Sequence, residues 1–254
     1  MDPKLARYRA VLFDLDGVLT DTASVHAACW KRMFDEFLRE RAARTGEPFE
    51  AFDIVSDYQQ YVDGKPRYDG VRSFLASRRI RLPEGEPSDP PGSDTVCALG
   101  NRKNLLIREF LRQEGVEPYP DAVQLLEDLS AAGVSMAVVS SSKNAPAVLD
   151  AAGIADRFDT VVDGKVAADS GLPGKPAPDT FLDAARRLGV DHREAVVVED
   201  AISGVKAGRN GEFGLVVGVA RQDNADELRA AGADVVVTEL SELAGESDEP
   251  QRVS

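Results

Sequence analysis

The first residues with chemical potential are two aspartates near the N terminus. Asp14 and Asp16 follow the apolar run Ala10–Phe13, where a buried strand would end. Two carboxylates at this spacing repel each other unless a cation holds them, and a hard cation such as Mg²⁺ suits them. Considered alone, the pair is more often an ordinary acidic turn. A calcium loop of the EF-hand type is excluded, because Val18 and Val25 stand where oxygen ligands are required.

A second acidic pair, Glu199 and Asp200, closes the apolar run Ala195–Val198. On its own this pair is also consistent with the cap of a helix that begins at Ala201. Ligands of open α/β sheets bind at the carboxyl ends of the strands. Two acidic pairs at the same end of one sheet are therefore hard to explain as unrelated turns.

Two other segments offer groups that bind anions. Ser140–Asn144 places hydroxyls and an amide at a helix start, beside exposed backbone N–H groups. Plain N-capping by Ser142 or Asn144 explains this segment equally well. Lys175 stands between a glycine and a proline on a stiff loop, where it offers a fixed positive charge to a phosphate. The loop is not of the Walker type, because proline follows the lysine, and alone Lys175 would be an ordinary surface residue.

The elements that position these residues follow from the alternation of short valine-rich runs with amphipathic stretches. The spacing predicts an α/β fold with a Rossmann-like parallel sheet and helices on both faces. The predicted strands are Ala10–Phe13, Val134–Val139, Thr160–Val162, Ala195–Val198, Leu215–Val219 and Asp234–Val237. The predicted helices between them are Asp121–Ala132, Asn144–Ala151, Pro178–Leu188, Ala201–Gly208 and Asn224–Ala231.

Residues 22–116 have a different pattern, without strand-like runs. Their amphipathic stretches are Ala23–Arg44, Tyr68–Arg79 and Thr95–Gln113, and Pro83–Asp94 has the composition of a loop. The sequence therefore predicts an α/β core domain, residues 1–21 and 117–246, divided by an α-helical cap domain, residues 22–116. Residues 247–254 are predicted to be a polar tail.

Composition narrows the class of protein. The chain has 254 residues and a formal net charge of −14, which disfavours a nucleic-acid partner. Two cysteines, Cys29 and Cys97, make no disulfide framework, and no apolar run has the length of a membrane span or a signal-peptide core. We therefore expect a cytoplasmic protein without a membrane partner. A monomer or weak dimer is expected as well, although composition does not determine the oligomeric state.

Taken together and in order, the four polar segments resemble the haloacid dehalogenase (HAD) superfamily, and finer features resemble its β-phosphoglucomutase-like branch. The matching segments are DLDGVLTDT from Asp14, SSSKN from Ser140, GKPAPD from Gly174 and VVEDAISGV from Val197. In the cap, Gly64–Val71 resembles the segment that carries a phosphate-gripping arginine, and Arg102–Asn104 resembles a second cap contact. The chain departs from the small mutases in Lys65-Pro66 and in extra residues near Arg39–Asp57 and Leu82–Asp94.

The resemblance implies a phosphotransferase with a covalent intermediate. It makes Asp14 the nucleophile that forms an aspartyl-phosphate and Asp16 the general acid–base. It implies that Lys175 and Ser140 hold the transferring phosphate. It also implies one Mg²⁺ ion as cofactor, and the metal ligands would be Asp14, the backbone carbonyl of Asp16, Glu199 and Asp200. The supporting catalytic residues would be Thr22 and His26.

The cap would select the substrate, a small sugar phosphate. Arg67 would grip the phosphate that is not reacting, because a guanidinium binds phosphate in a bidentate way. The other substrate contacts would be Gly64, Trp30, Lys103, Asn104, Ser141 and Asn144. Without the family context, Trp30 is as readily explained as an aromatic residue of the hydrophobic core. His26 is then explained as a structural histidine, and Arg67 as an exposed charge at the start of a helix.

Three activities are compatible with these residues. The leading one is the conversion of β-glucose 1-phosphate to glucose 6-phosphate through β-glucose 1,6-bisphosphate. The alternative is a Mg²⁺-dependent phosphatase of small sugar phosphates or phosphoglycolate, which shares the first half-reaction. A non-catalytic binding protein on the same scaffold is the third, and it gives no reason for a paired nucleophile and acid.

Overall fold

A six-stranded parallel sheet forms the centre of the molecule in the computed structural model, which describes residue 5 and residues 7–243. The spatial order of its strands is β3-β2-β1-β4-β5-β6. The strands are β1 (Ala10–Phe13), β2 (Ser135–Val139), β3 (Thr160–Val162), β4 (Ala195–Glu199), β5 (Leu215–Val219) and β6 (Val235–Val237). The predicted α/β fold is confirmed, and the strand bounds differ from the predicted ones by one residue at most.

Helices cover both faces of the sheet. Those of the α/β region are α4 (Pro120–Ala131), α5 (Ala145–Ala151), α6 (Gly164–Asp169), α7 (Asp179–Leu188), α8 (Ile202–Asn210) and α9 (Ala225–Ala231). Successive β1 residues face opposite sides, as strand geometry requires: Val11 and Phe13 pack in one hydrophobic cluster, Ala10 and Leu12 in another. Among the residues described, no helix combines the length and apolarity needed to cross a bilayer.

The strand register brings the polar segments together. Phe13 of β1 pairs with Val138 of β2 on one side and with Val198 of β4 on the other. The residues that follow these three neighbouring strands therefore meet at one edge of the sheet.

The region between β1 and α4 is helical. It contains α1 (Ala23–Thr45), a π-helix (Tyr58–Val62), α2 (Arg67–Ser77) and α3 (Val96–Gln113). The pattern predicted α1, α2 and α3 but neither the π-helix nor α6. We use the name cap for residues 22–116.

The cap has a hydrophobic cluster of its own, centred on Phe34. Its ring centroid lies 4.1 Å from that of Phe74, 5.3 Å from Phe52 and 5.4 Å from Trp30. This separate cluster supports the division that we propose, with 1–21 and 117–246 as the core domain and 22–116 as the cap domain. Residues 244–246 of that division and the predicted tail, 247–254, lie outside the described residues.

The chain leaves the sheet for the cap and returns to it at adjacent points. Thr20 forms an antiparallel bridge with Pro118, and the Tyr119 amide donates a 2.9 Å hydrogen bond to the Leu19 carbonyl. The Tyr119 hydroxyl donates a second hydrogen bond, of 3.0 Å, to the Asp21 carboxylate. The two connections of the cap therefore run side by side.

The cap cluster generates a stability prediction. Phe34→Ala should lower the free energy of unfolding of the cap by about 3–5 kcal/mol, because it leaves a cavity among three aromatic rings. Trp30 is the sole tryptophan of the chain, so its fluorescence during urea denaturation follows the cap. The control is Leu105→Ala, since the Leu105 side chain is 53% exposed. A Phe34→Ala midpoint no lower than that of the control would contradict the prediction.

Candidate active site

Lys175 lies at the centre of the site. Its ammonium group donates hydrogen bonds to Asp14, to Glu199 Oε1 at 2.6 Å and to the Val139 carbonyl at 2.9 Å. Burial would lower the pKa of Lys175, but the charges of Asp14 and Glu199 more than compensate and raise it above its ordinary value. The lysine is therefore a fixed, fully hydrogen-bonded positive charge.

Three buried carboxylates surround one point next to this lysine. Asp14, Glu199 and Asp200 each place an oxygen within 4.8 Å of the others. Burial raises the pKa of all three, that of Glu199 to about 7, and the charge of Asp14 adds to the effect at Glu199 and Asp200. Such an oxygen-only donor set with excess negative charge fits a hard divalent cation. These residues could therefore hold the metal ion that the sequence predicts.

Two glycines make room for the carboxylates. A Cβ atom at Gly17 would lie 2.0 Å from Asp200 Oδ2, and one at Gly204 would lie 1.7 Å from Glu199 Oε1. The Ala201 amide donates to Glu199 Oε2 at 2.9 Å. The Gly-containing segments that follow β1 and β4 thus fix the orientation of the acids.

Asp16 has a different environment, at the junction of core and cap. Its carboxylate accepts a hydrogen bond from the Thr22 hydroxyl, and His26 Nε2 lies 3.6 Å from its Oδ1. Burial raises the pKa of Asp16. Burial, and then the Lys103 charge, lower the pKa of His26 well below its usual value, so the imidazole is neutral.

Lys103 determines which nitrogen of His26 carries the proton. Its Nζ lies 3.0 Å from His26 Nδ1, and burial lowers the pKa of Lys103 to about 8. Because a charged ammonium only donates, Nδ1 accepts and the His26 proton resides on Nε2, toward Asp16. Lys103, His26 and Asp16 thus form a series of neighbouring polar groups that leads from the cap to the core.

Hydrogen bonds connect the cap directly to the core. The Ser141 hydroxyl donates to the Gly64 carbonyl at 2.8 Å, and the Asn144 amide donates to Asn104 Oδ1 at 2.9 Å. On the other side, the Ser203 hydroxyl donates to the carbonyl of Asp63 at 2.9 Å. These contacts hold the cap over the carboxyl edge of the sheet.

A cavity of about 450 Å³ lies between cap and core. Twelve of the predicted site residues line it: Asp14, Asp16, His26, Trp30, Gly64, Arg67, Lys103, Asn104, Ser140, Ser141, Asn144 and Asp200. The other three predicted residues are buried outside the cavity lining: Thr22, Lys175 and Glu199. Thr22 donates a hydrogen bond to Asp16, and Lys175 donates to Asp14 and Glu199. All the predicted site residues are therefore brought together.

Two contacts between a cationic side chain and an aromatic ring lie on the cap side of the cavity. The Lys103 ammonium lies 5.0 Å from the Trp30 ring centroid, and the Arg67 guanidinium carbon lies 5.0 Å from that of Tyr68. Trp30 also stacks on Phe34, so it belongs to the cap cluster and to the cavity wall at once.

Sequence reasoning missed Tyr58 and Asp63, which also line the cavity. Burial and the charge of Glu199 raise the pKa of Asp63 to about 7, against the effect of a hydrogen bond from Tyr58. The sequence offered one signal for Asp63, because this residue directly precedes Gly64, a predicted substrate contact.

Comparison with known proteins agrees with this geometry. Residues 8–211 match the family model for haloacid dehalogenase-like hydrolases. The chain belongs to this family. It is 54% identical over 241 residues to a β-phosphoglucomutase of Mycobacterium tuberculosis, covering 93% of this chain and 92% of the relative. It is 31% identical to a β-phosphoglucomutase of Bacillus subtilis, covering 92% and 91%.

Solved structures of the haloacid dehalogenase-like family share the fold. A crystal structure of β-phosphoglucomutase from Clostridium difficile superposes with a TM-score of 0.72 at 25% identity, covering 94% of each chain. The resemblance inferred from four short segments is therefore confirmed over nearly the whole length.

The contact between Lys103 and His26 generates a pH prediction. Lys103→Met removes a positive charge beside Nδ1, so the pKa of His26 should rise, and protonation on acidification should begin at a higher pH. NMR titration of the ring signals measures this shift, and His192, the other histidine, supplies the internal reference. An unchanged His26 titration would show that the two groups are not in contact.

Proposed function

We propose that this chain is a β-phosphoglucomutase, which converts β-glucose 1-phosphate to glucose 6-phosphate through the 1,6-bisphosphate. The observation that carries the proposal is one cavity between core and cap, with Asp14 on its core wall and Arg67 on its cap wall. A substrate with a phosphate at each end needs both. The names of the mycobacterial and Bacillus relatives support the same activity.

Asp14 starts the reaction as a nucleophile. Its carboxylate oxygen bonds to phosphorus while the bond from phosphorus to the leaving sugar oxygen breaks, which gives an aspartyl-phosphate. With the 1,6-bisphosphate as donor, this step releases glucose 6-phosphate. The 6-hydroxyl of β-glucose 1-phosphate then attacks this phosphorus and the Asp14 oxygen leaves, which forms the 1,6-bisphosphate again. Lys175 and the segment that begins at Ser140 offset the charge of the transferring group.

Asp16 handles the protons. It protonates the sugar oxygen that leaves in the first step and accepts the proton of the hydroxyl that attacks in the second. The raised pKa of Asp16 suits this exchange, and the Thr22 hydroxyl and His26 Nε2 orient the carboxylate. Thr22 and His26 are thus positioning residues.

The metal that we propose is Mg²⁺, and the residues present fit it. Asp14, Glu199 and Asp200 supply the carboxylate oxygens, and the Asp16 backbone carbonyl would add another. When bound, Mg²⁺ neutralises charge on the transferring phosphoryl group and reduces its repulsion by Asp14.

The choice between a sugar hydroxyl and water decides between mutase and phosphatase. A mutase must keep water from the aspartyl-phosphate, and the contacts of Gly64, Asp63 and Asn104 with the core hold the cap over the cavity. A small-substrate phosphatase does not require Arg67. The cytoplasmic location, the monomeric or weakly dimeric state and the lack of nucleic-acid or membrane partners remain predictions.

The activity test follows both products in one tube. With Mg²⁺, β-glucose 1-phosphate and a trace of the 1,6-bisphosphate, glucose 6-phosphate should accumulate with little free phosphate. Removal of Mg²⁺ by EDTA should abolish turnover, and added Mg²⁺ should restore it. Phosphate release without isomerisation would make the chain a phosphatase, and full turnover in EDTA would contradict the metal assignment.

The cap grip has its own prediction. Arg67→Ala should raise KM for β-glucose 1-phosphate about 10- to 100-fold, because charge-assisted hydrogen bonds to the distal phosphate are lost. Hydrolysis of acetyl phosphate, which has no second phosphate, should change much less. Arg112→Ala, near the exposed end of α3, is the control. Equal losses with both substrates would place Arg67 outside the distal phosphate site.

A further inference from the structure

The loop of residues 83–94, which we name the acidic loop, is an ordered part of the cap. The Arg72 guanidinium donates to both oxygens of Glu84, at 2.7–3.2 Å. Asp89 Oδ2 accepts hydrogen bonds from the Thr95 hydroxyl at 2.7 Å and the Glu86 amide at 3.1 Å. The loop therefore has a defined conformation next to α2 and α3.

Asn101 of α3 joins this loop to the substrate cavity. Its side-chain nitrogen donates to the carbonyls of Pro87 at 3.1 Å and Asp89 at 3.0 Å. Its side-chain oxygen accepts a 3.0 Å hydrogen bond from the Tyr68 hydroxyl. Both ends of the amide are thus in use, and they connect the loop to the residue after Arg67.

Close packing fixes the Tyr68 ring as well. A Cβ atom at position 100 would lie 2.6 Å from Tyr68 Cδ1 and 2.8 Å from its Cε1. Only a glycine at position 100 lets the ring lie this close to α3. The ring is therefore held from one side by Gly100 and at its hydroxyl by Asn101.

Arg67 rests on this ring. Its guanidinium carbon lies 5.0 Å from the ring centroid, and its Nη2 lies 3.4 Å from the Tyr68 hydroxyl. Within residues 7–243 the buried Nε of Arg67 has no hydrogen-bond partner. The guanidinium is thus oriented by Tyr68, its Nε is left unpaired, and the residue lines the cavity.

We propose that the acidic loop, Asn101 and Tyr68 form a support that presets the Arg67 guanidinium for the non-reacting phosphate of the substrate. Tyr68 and Asn101 are positioning residues, and they act through Arg67. The support matters because a long arginine side chain loses rotamer freedom when it binds a ligand, and a side chain already held in place loses less. This inference rests on the proposed function, since it assigns a second phosphate to the cavity.

Kinetics of Tyr68→Phe and Asn101→Leu test the support. Tyr68→Phe keeps the ring and removes one hydrogen bond, so KM for β-glucose 1-phosphate should rise about fivefold with kcat little changed. Asn101→Leu keeps the side-chain size and should move KM in the same direction. In an Arg67→Ala background, Tyr68→Phe should have no further effect. The matched control is Tyr61→Phe, which alters a cap tyrosine of the aromatic cluster.

Binding measured without turnover separates this inference from the proposed function. In the Asp14→Asn background, calorimetry with glucose 6-phosphate should show binding that Tyr68→Phe weakens about fivefold, while binding of inorganic phosphate stays unchanged. If the parent variant binds inorganic phosphate but not the sugar phosphate, the proposed function fails and the inference fails with it. If the sugar phosphate binds equally well with and without the Tyr68 hydroxyl, the inference alone is overturned. A fall in kcat with constant KM, or an additive loss in the Arg67→Ala background, would also overturn it.

Discussion

The site depends on the ammonium group of Lys175. A lysine has three hydrogens to donate, and here they go to the residues that follow or end three neighbouring strands: Asp14 after β1, Val139 in β2 and Glu199 in β4. Carboxylates in a water-excluded interior are unfavourable unless a positive charge compensates them. One buried cation therefore both permits the acidic cluster and aligns the strand ends that carry it.

The core and the cap position their polar groups in different ways. The core places its groups at the ends of hydrogen-bonded strands, where position varies little, and in the reaction that we propose these groups serve the transferring phosphate. The cap presents its groups on helices that reach the core through a few hydrogen bonds. Two of those bonds end on backbone carbonyls, of Gly64 and Asp63, so they do not depend on the cap side chains at those positions. These two bonds therefore fix the backbone of the segment that leads to Arg67.

The parts predictable from the sequence are those with a local signature. The valine-rich runs predicted the strands. Asp14, Asp16, Glu199 and Asp200 were predicted as one site, because they lie at the ends of two such runs and parallel strand ends meet at one edge of the sheet. Lys175 and Arg67 needed the family resemblance, since each alone is an ordinary cation. The contact of Tyr68 with Asn101 escaped, because it joins residues 33 positions apart on two helices. Tyr58 and Asp63 escaped because no strand end marks their positions. The composition of residues 83–94 predicted a loop but not the side-chain amide that orders it.

The bridge between Thr20 and Pro118 has a consequence for how this architecture diversifies. Because the two connections lie side by side, a change in the length of the cap between them leaves the separation of their ends on the sheet unchanged. The segments near 39–57 and 82–94, where we expect this chain to depart from smaller mutases, lie within that interval. Substrate preference can thus evolve through cap length and loop content while the strand register, and the reaction it supports, is inherited intact.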